Sequence, residues 1–98
     1  MFEKLKQFKD LRDKAKVLQE TLATVKVEGT AAWGKVKVEM DGNQNVLGVS
    51  IDDSLLSVGE KAKLQDGIKE AFGDALKKMQ KQVYEKMQAM GGLNLPGM

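Results

Sequence analysis

The chain has 98 residues, enough for one small domain, with 31% charged and 42% apolar residues and a net charge of +2. That is the composition of a folded globular chain rather than a disordered one. It holds no Cys and no His, which removes disulfides, thiol nucleophiles, imidazole bases and nearly all zinc chemistry.

Leu5, Phe8, Leu11, Ala15, Leu18, Leu22 and Val25 recur at spacings of three and four. This is a helical stripe close to a heptad seam, and no Gly or Pro interrupts it, so a helix is predicted over 1–24. From Val25 the period becomes two. Val25 and Val27, then Val36, Val38 and Met40, then Leu47, Val49 and Ile51 alternate with polar or small residues, which predicts three half-buried strands within 25–52. Asp41–Asn45 is a turn signal joining the second strand to the third. Ser57 and Glu60 have the spacing of a capping box, so a second helix is predicted over 57–90, with Leu64, Ile68, Ala71, Phe72, Ala75, Met79 and Val83 on its core stripe. Met79, Met87 and Met90 fit as core and arm-seam residues. Residues 91–98 are breaker-rich and read as a flexible tail.

The predicted fold is therefore α+β in a single domain over 1–90: a long N-terminal helix, a three-stranded antiparallel meander and a long C-terminal helix. Helices of about 36 to 45 Å outrun a sheet about 17 to 20 Å long. The apolar residues continue along them, so projecting helical arms and an obligate dimer are expected.

The candidates for chemistry are few. Asp41, Asn43, Asn45 and Asp52 imitate a calcium loop, but Val46 stands where that loop needs Gly and Asp52 where it needs Glu. The segment reads as a hairpin turn. Asp52-Asp53-Ser54 reads as a strand end whose side chains cap the next turn. Carboxylates, lysines and hydroxyls fall in no catalytic spacing, so neither an enzyme nor a cofactor nor a small-molecule substrate is expected. No apolar run approaches the roughly 18 to 20 residues that cross a bilayer, and the start lacks a signal peptide's hydrophobic stretch. A cytoplasmic protein without membrane association is expected.

Charge is segregated. Residues 1–24 carry six basic and four acidic groups, 25–56 three and five, and 57–98 seven and five, so the helices are basic and the sheet acidic. Lys9, Arg12 and Lys16 fall on one flank of the first helix, about 60° to 120° from its apolar stripe. Lys77, Lys78 and Lys81 point away from the stripe of the last helix. Such rows suit phosphates. They equally suit solvent, because Lys9–Asp13, Asp10–Lys14, Lys16–Glu20, Asp74–Lys78 and Lys81–Glu85 are all i,i+4 pairs. Trp33 stands at a hairpin tip beside Gly34. Packing on the sheet end or in a dimer interface is the first expectation for it, and stacking on a base or a partner the second.

Several blocks together match a known pattern: Val27-Glu28-Gly29-Thr30, Gly34-x-Val36-x-Val38, a turn at Gly42, Val49-x-Ile51-Asp52-x-Ser54-Leu55-Leu56, Ala71-Phe72-x-x-Ala75, and Lys86-Met87 before a Gly-, Met-, Leu- and Pro-rich end. Over essentially its whole length the chain resembles the YbaB/EbfC family of bacterial nucleoid-associated proteins. The resemblance implies a homodimer built on the sheets, helices projecting like tweezers, and duplex DNA bound in the nucleoid with limited sequence preference. It assigns phosphate contacts to Lys6, Lys9, Arg12, Lys16, Lys77, Lys78 and Lys81. The chain departs from the family pattern at Thr30-Ala31-Ala32-Trp33-Gly34, where a Gly-rich turn is common, and at Asp53, where Pro is usual. Two rivals stand beside this reading: a helical module that grips a protein partner, and a single-strand or RNA binder with Trp33 as its stacking platform.

Overall fold

The computed structural model describes residues 2–89, with side chains from Lys6 onward; Met90 and the tail expected at 91–98 lie outside the described residues. The chain runs α1 (Phe2–Ala23), β1 (Lys26–Ala31), β2 (Val36–Asp41), β3 (Val46–Ile51), two 3-10 turns (Asp53–Leu55 and Val58–Glu60) and α2 (Lys61–Ala89). This is the α+β order that the periodicity predicts.

Two local expectations need correction. The capping box at Ser57 does not form: the Ser57 side chain makes no cap bond. Its backbone carbonyl accepts from the Glu60 N–H at 3.0 Å, because the tighter 3-10 turn closes on the main chain. Glu60 pairs instead with Lys63 at 3.3 Å, and α2 begins only at Lys61. In β3 the alternation is interrupted. Glu39 lies opposite Gly48, but Met40 lies opposite Val46, which makes Leu47 the extra residue of a bulge. Val46, Val49 and Ile51 are thus the residues opposite Met40, Val38 and Val36, rather than the expected Leu47, Val49 and Ile51.

The strands form one antiparallel sheet in the order β1-β2-β3. Val27, Val36, Val38 and Met40 of its inner face join Val25, Leu55, Ala71, Ala75 and Met79 in a single buried core. α2 packs across β1 and β2. Its approach is close because the residues at the crossing are small. A Cβ on Gly29 would sit 2.1 Å from the Ala71 carbonyl oxygen and 2.3 Å from the Ala75 nitrogen.

α1 is attached differently. Every residue from Lys6 to Val17 is exposed, and only the last turn meets the sheet. There the Gly42 N–H donates to the Leu22 carbonyl at 3.0 Å and the Asn43 side-chain amide to the Gln19 carbonyl at 2.9 Å. Leu22 is among the last four carbonyls of the helix, which have no partner within it. A Cβ on Gly42 would meet the Leu22 oxygen at 2.5 Å, so this turn must be free of a side chain. The result is elongated: the radius of gyration is 18.4 Å and the extents are 63 × 27 × 19 Å, against about 13 Å for a compact domain of this length.

Gly29→Ala is expected to destabilise the fold by about 3 kcal/mol, at the upper end for overpacking, since backbone and not a flexible side chain blocks the added methyl. Urea unfolding measures this, and a change below about 0.5 kcal/mol, the range of ordinary surface substitutions, would show that α2 can shift away.

Candidate nucleic-acid interface

On α1, Lys6, Lys9, Arg12 and Lys16 are all exposed, and at about 100° per residue they span an arc of about 120°. Lys9, Arg12, Asp13, Ala15, Lys16 and Gln19 line one shallow groove along the helix. The far side of α1 carries Phe8 and Leu11, 69% and 54% exposed. A helix that stands off its own sheet therefore presents a cationic flank and an apolar seam, both open.

On α2, Lys77, Lys78 and Lys81 lie within an arc of about 100° and Lys77 and Lys81 face solvent. Lys78 has further contacts. Its Nζ donates to the Glu28 carbonyl at 3.1 Å and pairs with Asp74 at 3.0 Å, while the Asp74 carboxylate accepts from the Thr30 N–H at 3.0 Å. Glu28 and Thr30 lie on the outer edge of β1, so Asp74 and Lys78 together occupy a donor and an acceptor that another strand would otherwise use. In sequence the two look like one more solvated i,i+4 pair. Nothing local signals the second role, because the partners lie 44 and 50 residues away. Of the five i,i+4 pairs read from the sequence, this is the one that closes among the described residues.

The opposite flank of α2 is apolar. Ile68 and Phe72 are 38% and 42% exposed, although the periodicity assigns both to the core stripe. With Asp74 and Lys78 on the β1 side, this flank falls on the β3 side, where Val46 and Val49 are also half-exposed. Among the described residues β3 has no strand on its outer side. The basic row and the uncovered apolar strip thus occupy opposite flanks of one helix.

The acidic turns are internally satisfied. Burial alone would raise the Asp41 pKa, but bonds from the Asn45 N–H, the Asn45 side chain and the Asn43 N–H outweigh it and hold the carboxyl below its ordinary range. The Asn43 and Asn45 amides donate at 2.8 and 3.0 Å, which is the hairpin turn read from the sequence. Asp52 is held low first by the Ser54 hydroxyl and then by the Ser54 N–H, the strand-end cap also read there. Among the described residues no cluster of acidic groups is arranged to hold a metal ion, and no helix is long and apolar enough to cross a membrane.

A cationic flank on a free-standing helix suits a polyanion. The model of the YbaB/EbfC DNA-binding family matches residues 1–93. The chain belongs to that family. A nucleoid-associated protein of Rhodopseudomonas palustris is 43% identical over 93 residues, covering 94% of this chain and 88% of its own. One of Bradyrhizobium diazoefficiens is 42% identical over the same shares. The crystal structure of an uncharacterized protein from Helicobacter pylori has the same fold, with a TM-score of 0.64 at 23% identity over 89% of this chain and 99% of that one. In this YbaB/EbfC chain, then, the exposed helical lysines sit on a fold whose family binds DNA.

The Asp74 clamp gives a pH prediction. The Thr30 N–H bond and the Lys78 pairing lower the Asp74 pKa, so its contribution to stability is complete above the ordinary carboxylate pKa of about 3.9 and is lost as the pH falls through the lowered native value. The hydrogen-exchange protection factor of the Thr30 amide is expected to drop over that interval, and Asp74→Asn should remove the pH dependence. Equal protection at pH 7 and well below the native pKa would mean that the clamp does not hold the edge.

Proposed function

We propose that this chain is a nucleoid-associated protein that binds duplex DNA as a homodimer, mainly through phosphate contacts from its basic helical arms and with limited sequence preference. The observation that carries this reading is α1 itself: Lys6, Lys9, Arg12 and Lys16 exposed along one flank of a helix that touches its own sheet only at the last turn. Lys77 and Lys81 extend the cationic surface on α2, with Lys78 contributing less because it is engaged at the β1 edge. Counterions released as these groups meet phosphates drive binding.

Limited sequence preference follows from the donor set. Base edges are read by Arg, Asn and Gln in bidentate geometry, and Arg12 is the chain's one Arg. Lysines act as point charges and track the backbone. The homodimer is supported by the bare strip of Val46, Val49, Ile68 and Phe72 beside an open β3 edge. A second copy seated there covers the apolar flank of α2 and leaves its basic row free.

Charge reversal at Lys9, Arg12 and Lys16 is expected to weaken binding to unrelated duplexes by a similar factor, about tenfold or more, and to lower the slope of log K against log salt by about three. Anisotropy titrations at several salt concentrations measure both. Unchanged affinity in the folded triple variant would sink the assignment of α1. Separately, Phe72→Glu should convert dimer to monomer in sedimentation equilibrium, and a persistent dimer would place the interface elsewhere.

A further inference from the structure

The β1–β2 hairpin lies at the opposite end of the sheet from the turn that anchors α1. It turns through Ala32, Trp33 and Gly34 at φ of 53°, 61° and 83°, so two residues with side chains hold left-handed conformations that ordinarily suit Gly. Their arrangement puts the Trp33 indole fully in solvent, at 102% relative exposure. The expectation that it packs on the sheet end is therefore not met. A Trp usually buries about 150 to 250 Å², and here none of the described residues covers it.

Beside the indole lies an open cleft of about 470 Å³ between the hairpin tip, the Ser54–Leu55 turn and the start of α2. Three of its five charges are matched internally or nearby. Lys63 pairs with Glu60 at 3.3 Å, and Lys35 stands close enough to Asp52 to help hold that carboxyl ionised. Asp66 and Glu70, one turn apart and exposed on α2, form no ion pair among the described residues. An aromatic face next to two unpaired carboxylates attracts a cation. The cleft has room for one or two long side chains and none for a helix, which is about 10 Å across.

The chain carries suitable cations at its other end. Lys9, Arg12 and Lys16 stand out from α1, and Arg12 adds a planar guanidinium that stacks on aromatic rings. The cleft lies at the β1–β2 hairpin and α1 is anchored at the other end of the sheet, by the β2–β3 turn, so the two complementary patches meet between copies, head to tail. We propose that the Trp33 cleft receives a basic side chain from α1 of a second copy, linking copies end to end through a contact separate from the β3 face. The link goes beyond the DNA reading and shares with it only the basic flank of α1, so duplex DNA and the cleft compete for the same arm.

Trp33 is the chain's single Trp, so its fluorescence reports this site alone. In DNA-free protein at low ionic strength, where exposed charges are least screened, its emission should shift to the blue as concentration rises. The shift should track the appearance of species larger than the β3-linked form in sedimentation velocity, and high salt or added duplex should reverse both. Trp33→Ala is expected to weaken this association by about fivefold. D66K/E70K and K9E/R12E/K16E should each abolish it, and mixing the two variants should restore it through the swapped charges. Circular dichroism checks that each variant is folded. Emission that stays solvated at every concentration overturns the proposal, as does a blue shift that survives both charge reversals or a folded mixture that fails to recover it. Direct quenching by duplex, with lost DNA affinity in W33A, also overturns it and makes Trp33 a nucleic-acid contact. The DNA reading fails on a different result, unaltered duplex binding by the α1 variant.

Discussion

A helix about 10 Å wide spans two strands spaced about 4.8 Å apart and not three, and most of this architecture follows from that mismatch. α2 settles over β1 and β2, where Gly29, Ala71 and Ala75 allow the backbones to approach closely. β3 is left with its inner face half bare. α1 covers neither face and is hydrogen-bonded to the sheet at the Gly42–Asn43 turn. A chain of this size would ordinarily bring both helices over the core. Here α1 becomes an arm, since α2 already covers the inner face over β1 and β2 and the outer face is polar.

Asymmetry between the two sheet edges gives the molecule direction. Asp74 and Lys78 close the β1 edge by bonding to Thr30 and Glu28, while β3 stays open. With Ala71, Ala75 and Met79 buried on the sheet and Asp74 and Lys78 on its β1 side, Ile68 and Phe72 fall on the β3 side of α2 and Lys77 and Lys81 face away. The uncovered apolar strip and the cationic row are thereby separated on one helix. Electrostatics over the full length adds a second polarity, with a cationic flank on α1 and unmatched carboxylates beside Trp33.

The two long helices, three strands and both acidic turns were legible in the sequence because their signals are local. Periods of 3.6 and 2 report which residues share a face, and Asp41 and Asp52 bond to main-chain groups within four residues. The misses share one cause. Leu47 and Val46 exchange places through a bulge that depends on pairing with Met40. Phe72 has the spacing of a core residue, but whether it is covered depends on where the neighbouring strand ends. Ser57 carries the capping-box spacing, and a 3-10 turn set by the corner after Leu55 replaces the box.

By itself the sequence determined the element order, the segregation of charge between helices and sheet, the absence of thiol and imidazole chemistry, and the family resemblance that the family match then bore out. All of these depend on residue identity and spacing along the chain. Only the tertiary structure decided that α1 stands free, that Lys78 serves the β1 edge as well as the basic row, that one apolar flank of α2 is uncovered, and that Trp33 is fully exposed. Those outcomes depend on which surfaces run out of partners, and that is a property of widths, edges and contacts between residues dozens of positions apart.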